Sequence, residues 1–353
     1  MDNERRPEAE GALEALDAVV NTPPARRKKN FFEKNIIPLK GDSRKTKRRK
    51  GIFDSCLVVI FVCLLVLAWV VVIDPMQSKI LFGQLASMTE VETTEAPVPT
   101  EPLPPGETAP PTTKAPDYVV ERKSHAALKA MNGDYIGWLK APGGEIDMPI
   151  VQTADNGYYL KRDFKRRPSK YGNPFVDYRV HFDPMSTNVI IYGHHMSNGT
   201  MFTYLTRYKQ ANVVKNNPII TLEMADGAVY KYKIISVLAI NGRAQDDNGY
   251  VFAANTPEFT SEAKFDGYIR QIKQRSYVDT GVDAVYGDKL IALQTCVYDF
   301  DYEFLYVIAR MVRPGESTSI ASAKANPSPR MPQAWYDKQK KDNPFRDAEL
   351  WNP

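Results

Sequence analysis

Leu290-Ile-Ala-Leu-Gln-Thr-Cys-Val-Tyr-Asp-Phe300 is the stretch that decides the fold. An apolar run with β-strand character ends at Thr295, and Cys296 follows at once. Cys296 is the only cysteine beyond an early apolar segment, so outside a membrane it stays a free thiol. A neighbouring cation or general base can lower the pKa of a thiol from about 8.5 and make it a nucleophile. The alternative interpretation is a small buried hydrophobic residue.

The composition describes a globular chain with a basic beginning. Its 353 residues are 43% hydrophobic, which is enough for a core, and its net charge is +4. The basic surplus lies in residues 26–29 and 44–50. Such runs can bind nucleic acid, but an apolar span follows almost immediately. We therefore predict an anionic membrane surface as the partner of these runs, and no nucleic acid.

The apolar span predicts a membrane anchor. Cys56–Ile73 contains no charge, and a helix of that length measures about 27 Å, close to the ~30 Å hydrocarbon core. A cleavable signal peptide would have a shorter apolar region and a small-residue cleavage site. We predict an uncleaved helix over 52–74, with a cytoplasmic N-terminus because the preceding cluster is basic. Cys56 and Cys63 are interpreted as lipid-facing or packing residues.

Composition also predicts the remaining boundaries. Proline-rich sequence favours an extended spacer, and Ser, Pro and Lys return after Pro314. The predicted organisation is a disordered basic cytoplasmic tail (1–51), a transmembrane helix (52–74), a juxtamembrane segment with a Pro/Thr-rich spacer (75–116), a globular domain (117–313) and a disordered C-terminal tail (314–353).

The globular domain has the pattern of a mainly β protein with accessory helices. Helical spacing is seen over Val119–Met131 and again over Pro257–Arg275, just before the cysteine strand. Many short strands separated by turn residues predict a barrel or a sandwich. The predicted strands are Ile136–Lys140, Met148–Gln152, Pro174–Tyr178, Asn188–Tyr192, Ile219–Met224, Val229–Ala239, Lys289–Thr295 and Leu305–Val312.

A histidine doublet supplies the partner that a reactive thiol needs. His194 and His195 follow a strand that closes with Tyr192-Gly193, whereas His125 and His181 are interpreted as surface residues. Imidazole can assist thiolate formation and then protonate a leaving amine. A zinc site would need three or four ligands at suitable spacing, and the sequence has neither a CxxC nor an HExxH motif. No metal and no cofactor is predicted.

Several ordered motifs resemble those of class B sortases. Tyr192-Gly-His-His-Met-Ser-Asn-Gly-Thr-Met-Phe202 is similar to the family's histidine motif, and Leu293-Gln-Thr-Cys296 is similar to its Leu-x-Thr-Cys signature. Asn156–Leu160 and Gly172–Arg179 resemble further class B segments, and the helix over 257–275 lies where that class carries one. The resemblance covers about residues 118–313.

The resemblance implies a closed eight-stranded β-barrel with an N-terminal helix and a membrane-anchored catalytic domain outside the cell membrane. Cys296 would attack a carbonyl in the C-terminal sorting signal of a secreted protein and form a thioacyl-enzyme. An amine of a cell-wall precursor or of a pilin subunit would then release the acyl group. His194 matches the family's catalytic histidine by its place after Tyr-Gly, and strand alternation allows only one of the two histidines to face Cys296.

One position departs from the family. The arginine that begins the strand after the cysteine is replaced by Phe304, and Arg310 lies roughly 20 Å further along that strand. A register shift, Arg179 or Arg243, or backbone N–H donors would have to stabilise the oxyanion instead. Two alternatives to an active transpeptidase follow: a catalytically impaired sortase-like binding module, and a wall-associated cysteine hydrolase that uses water in place of an amine.

Overall fold

The structure, a computed structural model, describes residues 40–87, 91–95, 118–122 and 125–353, except 142 and 144. The chain divides into two compact units at the boundary between Ile73 and Asp74. The predicted tail over 1–39 and the proline-rich part of the spacer over 96–117 lie outside the described residues.

The first unit is helical. Helix α1 runs over Arg44–Ala68 and continues as a π-helical turn over Trp69–Ile73. Ser43 caps its start, because its Oγ accepts a hydrogen bond of 3.2 Å from the Thr46 backbone N–H. The helix therefore begins inside the basic cluster, earlier than residue 52. By length and composition, the helical stretch Arg44–Ser87 contains one segment apolar enough to cross a membrane, consistent with membrane anchoring.

The second unit alternates strands and short helices. Short 3₁₀ helices span Tyr158–Lys161, Phe202–Lys209 and Ala244–Asp246. Its other elements are α2 (Asp74–Ser87), β1 (Val91–Glu95), β2 (Tyr118–Arg122), α3 (His125–Met131), β3 (Tyr135–Ala141), β4 (Ile146–Val151), β5 (Phe175–Val176), β6 (Asn188–Tyr192), α4 (Ala211–Asn216), β7 (Ile219–Met224), β8 (Val229–Asn241), α5 (Glu262–Arg275), β9 (Val278–Asp279), β10 (Leu290–Cys296), β11 (Glu303–Met311), β12 (Lys324–Ala325) and α6 (Gln333–Gln339).

Eight of the strands close into a barrel in the order β10-β11-β8-β7-β3-β4-β5-β6. Closure confirms the predicted eight-stranded barrel and excludes the sandwich. Most neighbours are antiparallel, but β10 pairs with β6 in parallel. The strands are apolar for most of their length, and Ile190, Ile191 and Leu293 are fully buried in the main core. This core fixes the barrel as a rigid support for the loops at its rim.

The two predicted helices of the domain are present and shorter than expected. The N-terminal helix α3 begins at His125, because residues 118–122 are extended and pair with β1. The inserted helix α5 begins at Glu262, where the Ser261 side chain accepts from the Lys264 backbone N–H at 3.3 Å. A serine cap is a stronger local start signal than the proline at 257.

The structure corrects the expectation of a disordered tail over 314–353. Trp351 is only 7% exposed and packs against Tyr268 of α5, and its Nε1 donates to the Lys264 carbonyl at 2.9 Å. Glu316 forms ion pairs with Lys233 and Arg310. The segment is polar in composition, but a few aromatic and charged side chains dock it on the domain. Composition does not reveal such isolated anchors.

The juxtamembrane stretch is also more ordered than the sequence predicts. Helix α2 buries Leu81 and Leu85 in a second hydrophobic cluster that includes Tyr135 and Trp138 of β3. Two apolar residues at i, i+4 lie on one face of a helix, which explains why α2 packs on the barrel. The beginning of the predicted spacer is therefore part of the domain.

Candidate active site

The parallel pairing of β6 and β10 brings the cysteine and the histidine doublet to one rim of the barrel. Gln294 is paired with Tyr192, and the Gly193 N–H donates to the Gln294 carbonyl at 3.0 Å. Cys296 lies two residues after Gln294, and His194 lies two residues after Tyr192, so both follow this pair at the same rim.

His195 is attached to the cysteine backbone. Its Nδ1 lies 3.0 Å from the Cys296 carbonyl oxygen, and its ring stacks on Tyr298 at 5.4 Å between centroids. A carbonyl oxygen can only accept, so Nδ1 of His195 carries the proton. The hydrogen bond and the stacked ring together hold this imidazole beside the Cys296 main chain.

His194 is oriented by a different segment. Its Nε2 lies 2.7 Å from the Leu160 carbonyl oxygen and therefore carries the proton. Gly172, at φ +61°, lets the backbone pass beside the ring: a Cβ there would lie 3.2 Å from the imidazole Cδ2. Among the described residues the His194 Nδ1 has no hydrogen-bond partner, so it is the basic nitrogen of this side chain.

A short loop fixes both histidines at the strand end. The Phe202 N–H donates to the His194 carbonyl at 2.9 Å, and His195 forms an antiparallel bridge with Met201. The Phe202 ring packs on Gly193 so closely that a Cβ there would lie 2.5 Å from it. Glycine is therefore required before the doublet, because any side chain would displace the ring.

The Cys296 thiol lies in an environment that disfavours its ionised form. The side chain is partly buried, and burial raises its pKa above the ordinary value. Among the described residues, no cation contributes to this shift in pKa. A base that takes the thiol proton when substrate is bound would supply the activation.

The structure places Arg310 far from Cys296, as the sequence predicts, and shows no register shift that would bring it closer. Phe304 is paired directly opposite Cys296, which confirms that no guanidinium occupies that position. Arg310 pairs with Leu290 at the far end of β10, is fully buried, and is held by Glu316 at 2.6 Å. It is therefore part of the support of the barrel and does not reach the thiol.

Two other arginines lie nearer the rim. Arg179 is engaged, because it forms two hydrogen bonds to Asp177 at 2.9 and 2.8 Å and a third to the Asn255 carbonyl. Arg243 follows β8, the strand beyond β11, and stacks over the Tyr302 ring at 4.4 Å. Its one ion pair among the described residues is a 3.5 Å contact from Nε to Asp246, so its Nη groups are free.

A polar network that the sequence motifs do not reveal surrounds the Tyr192 hydroxyl. Asp177 is fully buried and accepts a 2.6 Å hydrogen bond from the Tyr192 hydroxyl, while Asn255 Nδ2 lies 3.3 Å from that hydroxyl. Burial raises the pKa of Asp177, but the hydrogen bonds from Arg179 and Tyr192 together outweigh it, so the pKa lies below the ordinary value. Tyr192 lies two residues before His194, so strand alternation could have placed it on the reactive face.

A closed β-barrel that presents a free cysteine beside two histidines at one rim defines a cysteine enzyme of the acyl-transfer type. The sortase domain model matches residues 139–312. Sortase B of Listeria monocytogenes is 32% identical over 176 residues, which are 50% of this chain and 68% of that protein.

Solved structures agree with this assignment. A mutant sortase B of Clostridium perfringens superposes with a TM-score of 0.50 at 29% identity, over 54% of this chain and 87% of the other. Sortase B of B. anthracis superposes with a TM-score of 0.53 at 22% identity, over 68% of this chain and 99% of the other. This likeness shows the shared fold. The chain belongs to the sortase family. It is a class B sortase, and its activity is that of the family, cysteine transpeptidation on sorting-signal substrates.

Proposed function

We propose that Cys296 is the nucleophile of this transpeptidase and that His194 is its general base and acid. The register of β6 and β10 supports the proposal, because Cys296 and His194 each follow the paired residues Gln294 and Tyr192 by two positions. The Leu160 carbonyl, by holding Nε2, leaves Nδ1 of His194 to take the thiol proton. His195 acts as a positioning residue through its hydrogen bond to the Cys296 carbonyl.

The reaction has two acyl transfers. The Cys296 sulfur attacks the scissile carbonyl carbon, and His194 receives the thiol proton and delivers it to the leaving amine. A C–S bond replaces the C–N bond in the thioacyl-enzyme. An incoming amine attacks the same carbon, loses a proton to His194 and restores the Cys296 thiol. The product carries a new amide bond.

Arg243 is proposed as the group that holds the substrate carbonyl. Ile240 is level with Phe304 and Cys296, and Arg243 lies three residues further along, so the Arg243 and Cys296 backbones are roughly 14 Å apart. An extended arginine side chain and a bound substrate carbonyl would together bridge this distance. Arg179 is less suited, because holding an oxyanion would break its bonds to the buried Asp177 carboxylate. A planar guanidinium with free Nη groups matches a developing oxyanion.

We infer that the donor is a secreted protein with a C-terminal sorting signal and that the acceptor is an amine of a cell-wall precursor or a pilin subunit. The apolar helix ahead of the domain supports anchoring in the cytoplasmic membrane. The basic residues over 44–50 support a cytoplasmic N-terminus and a single pass, with the barrel outside.

An amine-dependent ligation assay tests the proposal. A chain over 74–353 is incubated with a quenched peptide that bears an Asn-Pro-x-Thr or a Leu-Pro-x-Thr signal, with and without an amine acceptor. We expect a ligated product whose yield rises with the amine concentration. Cleavage at a rate and yield indifferent to the amine would identify a hydrolase. Binding of the peptide without a covalent adduct would identify an inert binding module.

A further inference from the structure

A cavity of about 160 Å³ lies where the C-terminal segment docks on the barrel. It is formed by the end of β8, the loop after it, α5 and the segment after β12. Arginines dominate its polar wall: Arg275 of α5, together with Arg330 and Arg346 of the C-terminal segment. A cavity needs roughly 10–15 Å³ of accessible volume to hold one water molecule, so this cavity has room for a polyatomic ligand.

Two of these arginines are buried side by side. Arg275 and Arg330 are each only 6% exposed, and both donate from Nη1 to the side-chain oxygen of Gln271, Arg330 at 3.1 Å. Arg330 also donates to the backbone carbonyls of Ala348 and Glu349. The Nε and Nη2 groups of Arg275 have no acceptor among the described residues. The Arg275 guanidinium is therefore only partly satisfied.

The positive charge of this pair is only partly balanced by the protein. In the part of the chain that the structure describes, no carboxylate oxygen lies within 4.0 Å of either guanidinium, although the charge of Asp247 acts on both arginines and Arg275 lies over the Phe252 ring at 4.6 Å. Asp247 lines the cavity, but it accepts from the Gln333 backbone N–H at 2.6 Å instead. Burial, and then the charge of Arg330, lowers the pKa of Arg275 to about 10. Removing charges from water without a counter-ion is costly.

We propose that this cavity binds a small oxyanion, a phosphate or a phosphomonoester group. Arg275 and Arg330 supply buried charge, Arg275 supplies free N–H donors, and Arg346 supplies a third cation at the exposed mouth. Guanidinium groups are suited to phosphate geometry because of their paired donors.

An anion here would join segments that are distant in sequence. Arg275 belongs to the inserted helix, Arg330 to the C-terminal segment, and Ile240 of the wall to β8. Ile240 pairs with Phe304, which pairs with Cys296. Occupancy would stabilise the docked C-terminal segment and the loop over 243–250, which carries Arg243.

Isothermal titration with inorganic phosphate tests the proposal on the full chain in a detergent without phosphate, at constant ionic strength. We expect saturable binding, at least tenfold weaker in Arg275→Gln and Arg330→Gln. Arg270→Gln, at an exposed position of the same helix, is the matched control and should bind like the unaltered chain. Glycerol 3-phosphate in a parallel titration distinguishes the source: tighter binding of the ester indicates an organic phosphate, and tighter binding of phosphate indicates the free ion.

If the Arg275→Gln and Arg330→Gln variants fail to fold, Arg346→Gln tests the proposal instead. Arg346 is exposed, so its replacement should weaken phosphate binding without unfolding the chain. Thermal melting adds a second measurement. Phosphate should raise the Tm of the unaltered chain and of Arg270→Gln more than that of Arg346→Gln. The proposal would be overturned if neither ligand showed saturable binding. It would also be overturned if Arg270→Gln and Arg346→Gln lost the same amount of phosphate affinity.

Discussion

His195 Nδ1 donates to the backbone carbonyl of Cys296 at 3.0 Å, so one imidazole of the doublet is occupied with the nucleophile's main chain. The other imidazole, on His194, is bound through Nε2 to the Leu160 carbonyl and keeps its second nitrogen free. Adjacent histidines therefore have different partners. In the proposed mechanism, His195 positions the cysteine and His194 transfers the proton.

Replacement of the two histidines should separate these roles. His194→Ala should lower kcat/KM for amine-dependent ligation by about 10²–10⁴, because the general base is lost. His195→Ala should lower kcat/KM by a smaller factor, because the His195 ring contacts the Cys296 carbonyl and Tyr298. His195→Gln, which keeps a side-chain donor, should recover part of that loss. A larger loss in His195→Ala than in His194→Ala, with both variants folded by thermal melting, would reverse the assignment.

Arg243 and Arg179 can be distinguished by the kind of damage that each substitution causes. Arg243→Ala should lower kcat/KM by about 10²–10³ and leave the Tm unchanged, because the side chain is exposed at the rim. Arg179→Ala should lower the Tm, because it leaves the Asp177 carboxylate buried without its cation. Steady-state kinetics and thermal melting of both variants check this. An Arg243→Ala enzyme with full activity would remove Arg243 from the mechanism.

The raised pKa of Cys296 predicts how its reactivity depends on pH. Iodoacetamide reacts with the thiolate, so its rate at Cys296 should rise with a midpoint above the ordinary thiol value of about 8.5. The same burial should make stability decrease as the pH rises past that value, because the unfolded thiol ionises first. Peptide mapping separates Cys296 from Cys56 and Cys63. If the pH midpoint of the reaction at Cys296 were lower in the native chain than in the urea-denatured chain, the native enzyme would hold a preformed thiolate instead.

Glu316 is predicted to stabilise the barrel through Arg310. Glu316→Gln should lower the free energy of unfolding by about 1.5–3 kcal/mol, because the fully buried Arg310 would lose its closest carboxylate and keep only Asp283 at 3.5 Å and Asp288 at 4.0 Å. Hydrogen bonds from Arg310 lower the pKa of Glu316, so its contribution is complete above the ordinary glutamate value of about 4.3 and decreases as the pH falls through the lower folded value.

Denaturant unfolding measures this effect, with Glu145→Gln at an exposed position as the control. The difference between the unaltered chain and Glu316→Gln should be constant near neutral pH and smaller in acid. Equal stability of the two proteins at pH 7 would contradict the role given to Glu316.

Local patterns in the sequence predicted most of the barrel. Asn188–Tyr192 and Ile219–Met224 were predicted with the bounds that the structure has, because each is a short apolar run between turn residues. The pairing of β6 with β10 could not be read from either strand alone, since it joins residues about a hundred positions apart. The resemblance to sortases supplied that long-range information.

Details of the site depended on contacts that no local pattern contains. The attachment of His195 to the Cys296 carbonyl requires the loop from Ser197 to Phe202 to fold back on the strand end. The docking of Trp351 on α5 is likewise a tertiary contact of one side chain within a polar segment. Composition averages over such residues, and for that reason it predicts disorder in a C-terminal segment that the structure shows docked on the domain.

The mass of the intact enzyme after mixing with a sorting-signal peptide and no amine tests the central claim most directly. We predict an adduct equal in mass to the acyl part of the peptide, mapped to Cys296, discharged on addition of an amine and absent from Cys296→Ala. That variant should melt at nearly the same temperature as the unaltered chain. An adduct that persists in a folded Cys296→Ala enzyme, or amine-dependent ligation by that variant, would contradict the account.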